Sequence, residues 1–136
     1  KLIFMAKKFK FTVKVYYEDT DSGGVVYYAN YLKFLERARS EAIYSLGHTN
    51  TGLLEKYNVL LIVKSCNIEY IKPAKFEDIL DVVSEVTSFT KTSFIMKQII
   101  LKDNEMISTA EIHLVAVNKN GKPTKLPDEL KQKLEN

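Results

Sequence analysis

The stretch E-D-T-D-S-G-G-V-V-Y-Y-A-N-Y, residues Glu18–Tyr31, stands directly before the one long helical pattern of the chain. It holds three carboxylates, two adjacent glycines and three tyrosines in fourteen residues. Paired glycines let the backbone turn sharply, and the first N–H groups of a helix have no partner within the helix. The stretch therefore predicts a loop that brings a carboxylate close to unpaired N–H groups.

The residues after the loop predict an amphipathic helix over residues 31–46. Five apolar side chains recur at steps of three or four residues on one face, namely Tyr31, Leu35, Ala38, Ala42 and Leu46. Gly47 follows, as glycine does at many helix C-termini. Arg39 falls beside the apolar face, so we expect its stem to lie on the core and its guanidinium to pair with a carboxylate. Before the loop, residues 9–17 alternate apolar and polar and predict a strand.

The second half of the chain is rich in Ile, Val, Phe and Thr and predicts four more strands, at residues 59–71, 79–89, 93–102 and 106–118. A short helical turn is expected before them at Leu53–Lys56, and Pro127 is expected to open a helix that ends near Leu134. Strands of this length can curl around a helix, and apolar side chains on both faces need a cover on each side. The pattern predicts one α+β domain over residues 1–136 that associates with itself.

Composition narrows the classes of function. The formal net charge of +3 comes from dispersed lysines, without the cation cluster that marks a nucleic-acid-binding surface. No apolar run has the length of a membrane span. The apolar segment near residue 1 is too short for a secretory signal. Met5 is the expected translation start, with residues 1–4 vector-derived. Cys66 is the single cysteine, so we expect a cytoplasmic protein in which Cys66 is a buried, inert thiol.

Several reaction classes have no signature in this sequence. It contains no G-x-S-x-G, P-loop or G-x-G-x-x-G motif. His48 and His113 lie far apart without the spacing of metal ligands, so no metal site is expected. The loop remains, because an aspartate such as Asp21 can act as a nucleophile or a general base.

Two interpretations of the loop are open on residues alone. In the catalytic one, Asp21 works with a helix-start N–H group that stabilises an oxyanion. In the structural one, given even weight, Asp19 and Asp21 cap turns and Asn30 caps the helix.

The segment Y-Y-E-D-T-D-S-G-G-V-V-Y-Y-A-N-Y-L-K-F-L-E-R-A-R-S-E, residues 16–41, closely resembles the signature of the 4-hydroxybenzoyl-CoA thioesterase family, above all its YbgC-like acyl-CoA thioesterases. The resemblance continues through C-N-I-E-Y-I-K-P-A-K-F-E-D-I-L (residues 66–80) and T-S-F (residues 92–94). It implies a hotdog fold, in which a five-stranded antiparallel sheet wraps one long helix. It also implies hydrolysis of an acyl-CoA to the free acid and coenzyme A, without a metal or redox cofactor. Homodimers or homotetramers with sites between subunits are implied as well.

Carried over by position, the resemblance implies that Asp21 is the catalytic aspartate and that the backbone N–H of Tyr28 is the oxyanion donor. Close relatives have histidine where this chain has Tyr28. A phenol has a pKa of about 10, so we do not expect its side chain to act as a general base. A role for the Tyr28 backbone is unaffected by that change.

Four further residues are candidates for binding the substrate. Tyr27 and Tyr31 are candidates for lining the acyl pocket, although core packing explains them equally well. Lys91 and, more weakly, Lys64 are candidates for the coenzyme A phosphates, although most such lysines are ordinary surface residues. Two alternative functions on the same fold are a non-catalytic acyl-thioester sensor and a thioesterase for acyl carrier protein, which a positive chain would suit. A dehydratase is less expected, because those sites pair Asp with His and the loop has no histidine.

Overall fold

A computed structural model describes residues 7–136; the predicted start at Met5 lies outside the described residues. The described chain forms five strands, β1 Lys8–Lys14, β2 Leu60–Tyr70, β3 Ile79–Phe89, β4 Ser93–Lys102 and β5 Glu105–Val117. It also forms three α-helices, α1 Asn30–Ser45, α2 Asn50–Tyr57 and α3 Asp128–Glu135. No helix among residues 7–136 has the length and apolar character needed to cross a membrane.

The strands form one antiparallel sheet in the order β1-β3-β4-β5-β2. The sheet is open, with β1 and β2 at its edges. The predictions for residues 79–89 and 93–102 are confirmed with the same bounds. The first strand is shorter than predicted, because the chain leaves the sheet after Lys14 and makes a 3-10 turn at Tyr17–Asp19.

The short turn expected at Leu53–Lys56 is a complete helix, α2. Its N-terminus is capped by Thr49, whose side-chain oxygen accepts a hydrogen bond from the Gly52 N–H at 2.9 Å. The capping threonine is the sequence signal for this longer helix, and apolar periodicity alone does not show it.

Helix α1 lies on the sheet with its predicted apolar face inward. Phe34 and Leu35 are completely buried. They belong to one hydrophobic core with buried side chains of the three central strands, among them Leu80, Val82, Met96, Ile100 and Ile112. Burial of a side chain of this size contributes roughly 2 kcal/mol. After the helix, Gly47 adopts a φ of 84°, a left-handed conformation that favours glycine. A sheet wrapped around one long helix is the predicted hotdog fold.

A buried polar cluster joins α1 to the middle of the sheet. The side chain of Gln98 is completely buried, and its Nε2 donates to the Leu35 carbonyl at 3.0 Å and to Ser84 Oγ at 2.9 Å. Its Oε1 accepts from Arg39 Nη1 at 3.1 Å. The prediction that Arg39 pairs with a carboxylate is therefore wrong. The sheet residue opposite Arg39 is a glutamine, so an amide oxygen accepts instead.

Replacing Gln98 with leucine should lower the free energy of unfolding by about 2 kcal/mol, because Arg39 and Ser84 keep their polar groups but lose their buried partner. Urea denaturation measures this change. Gln132→Leu on the exposed face of α3 is the matched control and should change stability by less than about 0.5 kcal/mol. Equal stability of the two variants would contradict the role given to the cluster.

Strand β2 is solvent-exposed along most of its length. It pairs with β5 on one side, and its other edge has no strand partner in residues 7–136. The prediction that Cys66 is buried is wrong, because Cys66 lies on this edge strand and is exposed. Ile62 and Val63 are 46% and 47% exposed. An unpaired edge with exposed apolar side chains is a surface that proteins usually cover.

Candidate active site

The loop before α1 is a narrow turn whose two sides hydrogen-bond to each other. The Asp21 N–H donates to the Val25 carbonyl at 2.9 Å, and the Tyr27 N–H donates to the Asp19 carbonyl at 3.0 Å. At the tip, Gly24 has a φ of 80°, a conformation that a side chain would strain. The tight turn that the sequence predicted from the adjacent glycines is present, and Gly24 is the glycine that takes the left-handed conformation.

The loop is also bound to the segment that precedes β3. The Val26 N–H donates to the Ala74 carbonyl at 2.8 Å, and the Phe76 N–H donates to the Gly24 carbonyl at 3.2 Å. The rings of Tyr17 and Phe76 stack with centroids 3.9 Å apart. These contacts hold the loop in one position relative to the sheet.

The three carboxylates of the loop have different surroundings. Asp19 is buried, and its Oδ2 accepts from the Tyr16 N–H at 2.9 Å, which is a structural role. Asp21 is exposed, and its Oδ1 accepts from the Gly23 N–H at 2.8 Å. The second oxygen of Asp21 makes no hydrogen bond with residues 7–136. Turn capping thus accounts for Asp19 and for one oxygen of Asp21, and it leaves the other oxygen able to contact a ligand. Glu18 is exposed.

Asn30 connects the loop to α1, but it does not cap the helix. The helix begins at Asn30 itself, after Ala29, so the prediction of an Asn30 cap is wrong. The Asn30 side-chain amide instead donates to the Asp19 carbonyl at 2.9 Å. The same carbonyl accepts from the Tyr27 N–H, so the buried Asp19 sets the direction in which the chain enters the helix.

The backbone N–H groups of Tyr28 and Ala29 make no hydrogen bond within the described chain. The carbonyls of Tyr27 and Tyr28 accept from the N–H groups of Asn30 at 2.8 Å and Tyr31 at 3.3 Å. In a trans peptide the N–H and the C=O point in opposite directions. Because these two carbonyls point into the helix, the Tyr28 and Ala29 N–H groups point away from it. The helix dipole adds positive potential there, which favours a negatively charged ligand atom.

Tyr70, at the end of β2, is a site residue that the sequence analysis did not single out. Its hydroxyl donates to the Tyr28 carbonyl at 3.1 Å. Its ring meets the edges of Tyr28 at 6.2 Å and Tyr31 at 5.2 Å between centroids. Tyr70 therefore helps to orient the peptide that follows Tyr28. The sequence signal that could have identified Tyr70 was its position within residues 66–80, where the family resemblance continues.

The predicted aromatic residues lie close together. Tyr28, Tyr31 and Tyr70 line a surface pocket of about 270 Å³. Tyr31 is buried, and its hydroxyl oxygen accepts from the Ala74 N–H at 3.0 Å, so it also serves the core. Burial raises the pKa of Tyr31. Tyr27 is about half exposed, and its ring lies 4.8 Å from that of Tyr28.

The two predicted lysines lie away from the loop within one chain. Lys91 is in the turn after Phe89, at the opposite end of β3 from Ile79, where the loop segment joins the sheet. Ten residue-to-residue steps of about 3.3 Å along β3 separate these ends by roughly 33 Å. Lys64 lies midway along β2, at an irregularity between Val63 and Ser65. One chain therefore places the Asp21 loop and the tyrosine pocket at the same end of the sheet, and it places both lysines away from that end.

An accessible carboxylate, an unpaired N–H at a helix start and an aromatic pocket are the components of a site that cleaves acyl groups. Residues 15–134 match the Thioesterase-like superfamily, and the chain belongs to this family. It is 40% identical to "Acyl-CoA thioesterase YbgC" of Haemophilus influenzae over 124 residues, which is 90% of this chain and 91% of that protein. The protein is a thioester hydrolase.

Further relatives agree with this class. The "Acyl-CoA thioester hydrolase YbgC" of Escherichia coli O6:H1 is 39% identical over 121 residues, which is 88% of this chain and 90% of that protein. A probable thioesterase from Bartonella henselae superposes with a TM-score of 0.85 at 34% identity, covering 89% of this chain and 100% of that chain. A mutant 4-hydroxybenzoyl CoA thioesterase complexed with 4-hydroxybenzoyl CoA superposes with a TM-score of 0.89 at 16% identity, covering 96% and 100%. At that identity the last comparison supports the fold alone.

Proposed function

We propose that this protein hydrolyses an acyl-CoA to the free acid and coenzyme A, with Asp21 as the catalytic carboxylate and the Tyr28 N–H as the oxyanion donor. The observation that carries the proposal is the unpaired Tyr28 N–H, which points away from α1 and follows the loop that bears Asp21. The two YbgC relatives, named as hydrolases of acyl-CoA thioesters, support the choice of substrate.

In the proposed reaction, the thioester carbonyl oxygen accepts a hydrogen bond from the Tyr28 N–H and gains negative charge as the carbonyl carbon is attacked. Asp21 either attacks that carbon itself or removes a proton from the attacking water. In either route a carbon–oxygen bond forms, the carbon–sulfur bond breaks, and the coenzyme A thiolate leaves and takes up a proton. Where Asp21 is the nucleophile, the acyl group remains on Asp21 as a mixed anhydride, and water hydrolyses this anhydride to the free acid and the regenerated carboxylate. These steps need a carboxylate, an amide and water, so the proposal includes no metal or redox cofactor.

The proposed enzyme works as a homodimer joined through β2. Two copies of an edge strand that pair antiparallel about its middle bring the Leu60 end of one copy beside the Tyr70 end of the other. The turn that bears Lys91 lies at the Leu60 end, because β2 pairs with β5 and β5 with β4. In the dimer that turn approaches the Asp21 loop of the second copy.

The dimer would also supply the cations for the substrate. Lys91 lines a surface pocket together with Lys125 and Lys131. Asp128 lies there too and pairs with Lys125 at 3.4 Å. Three lysines and one aspartate leave an excess of positive charge, which suits the phosphates of coenzyme A. Lys64 lies closer to the middle of the proposed interface.

We also propose that the protein is located in the cytoplasm.

Thiol release tests the proposed function. Wild-type protein should hydrolyse at least one member of a series of short, medium, long and aromatic acyl-CoAs. The same acyl groups on acyl carrier protein should react at least about tenfold more slowly in kcat/KM. Hydrolysis of the carrier-protein thioesters alone would contradict coenzyme A as the carrier. Tight binding of acyl-CoA without any thiol release would contradict hydrolysis and favour a sensor.

A further inference from the structure

A second cavity, of about 190 Å³, lies between α1 and β2, away from the loop. Its apolar walls include Leu61 of β2 and the buried side chains of Phe94 and Met96. Its polar groups come from the helical side and include Arg39. None of the chemistry above uses this cavity.

Arg39 has binding capacity that the chain does not use. A guanidinium carries five N–H donors, and in Arg39 only Nη1 has a partner in residues 7–136, the Gln98 Oε1. No carboxylate of the described chain forms an ion pair with Arg39. Burial lowers the pKa of Arg39, although arginine stays charged in proteins. A partly buried cation beside apolar walls favours a ligand with a negative charge.

Three other polar side chains face this cavity. Glu36 is exposed, and its Oε2 accepts from the Ser40 hydroxyl at 2.7 Å. Its charge is at the surface and is weakened by solvent and salt. Asn50 is neutral and exposed. Arg39 is therefore the most buried charge in the cavity, and its planar fork matches a carboxylate in two-pronged geometry.

We infer that Arg39 selects an acyl group that ends in a carboxylate, so that the preferred substrate is the half-thioester of a small dicarboxylic acid. The methylene chain lies against Phe94 and Met96, and the terminal carboxylate pairs with Arg39. The inference rests on the proposed function and on the β2 dimer. In the dimer, antiparallel pairing of the β2 strands places Leu61 of one copy beside Tyr70 of the other. The cavity that Leu61 lines in the first copy therefore lies beside Tyr70 of the second copy. That cavity then opens toward Tyr28.

The test compares matched pairs of acyl-CoAs of equal chain length: succinyl with butyryl, glutaryl with valeryl, and adipoyl with hexanoyl. Wild-type protein should prefer the carboxylated member of at least one pair by about tenfold or more in kcat/KM. Arg39→Met should lower kcat/KM for that member at least about tenfold more than for its plain partner. Arg39→Lys should restore part of the preference. Arg37→Met removes the exposed arginine of the same helix and should leave the preference as in wild type.

Two results would overturn the inference and leave the proposed function standing. One is hydrolysis of the plain member at an equal or higher rate in every pair. The other is an equal loss on both members of a pair in Arg39→Met. If wild type hydrolysed no thioester at all, calorimetry with free hexanoate and with the uncharged hexanamide would decide separately. Hexanoate binding that Arg39→Met abolishes and Arg37→Met keeps would support the carboxylate site, and equal binding of the carboxylate and the amide would overturn it.

Discussion

Replacing Asp21 with asparagine should lower kcat for acyl-CoA hydrolysis at least about 100-fold, the usual contribution of one catalytic group. The asparagine oxygen can still accept the hydrogen bond from the Gly23 N–H, so the loop should keep its shape. The amide has no charge with which to attack the thioester or to take a proton from water. Thiol release measures turnover, and calorimetry with the same acyl-CoA should show binding close to that of wild type.

Glu18→Gln is the matched control, because Glu18 is an exposed carboxylate in the same loop. It should keep kcat within about twofold of wild type, the behaviour of surface substitutions. Turnover of Asp21→Asn within about threefold of wild type would remove Asp21 from the mechanism. A similar loss in both variants would point to the charge of the loop as a whole.

Replacing Tyr28 with proline should lower kcat by about 100- to 1,000-fold, the effect of losing one oxyanion donor. Proline has no backbone N–H, and position 28 lies before the first helical residue, so proline does not interrupt α1. Tyr28→Phe is the matched control, since it keeps the N–H and loses only the phenol oxygen. It should stay within about threefold of wild type in kcat.

Circular dichroism and urea denaturation should show that both Tyr28 variants fold. A loss of activity in Tyr28→Phe as large as that in Tyr28→Pro would assign the chemistry to the phenol, and wild-type activity in Tyr28→Pro would contradict the backbone role.

Local sequence patterns predicted most of the elements of the fold. The apolar period of α1 and the alternation in β3 and β4 arise within each segment, and their bounds agree with the structure to within a residue. The position of a strand in the sheet is a tertiary property. The same apolar pattern that predicted a strand around Cys66 cannot show that β2 lies at the edge, and this is why the thiol was expected to be buried. Arg39 was matched with the wrong partner because Gln98 is 59 residues away in sequence.

In the candidate site, too, local sequence patterns predicted some features, whereas contacts between distant residues were missed. Asp21 was paired with a helix-start N–H group because loop and helix are contiguous in the chain, and the assignment of that N–H to Tyr28 came from the family resemblance. The cap assigned to Asn30 was wrong because the helix starts one residue earlier than its apolar period shows. Tyr70 reaches the Tyr28 carbonyl from 42 residues away, which no local pattern records. Lys91 was assigned by resemblance, and in a single chain it lies at the far end of the sheet.

The most direct test of the account is to follow the Tyr28 backbone amide by NMR while ¹⁵N-labelled Asp21→Asn protein is titrated with an acyl-CoA. This variant should bind the thioester without cleaving it. The account predicts that the Tyr28 amide proton moves downfield as its N–H donates to the thioester carbonyl, and that the same titration moves it much less with free coenzyme A. Saturation with acyl-CoA that leaves the Tyr28 amide resonance in place would contradict the oxyanion site at the start of α1.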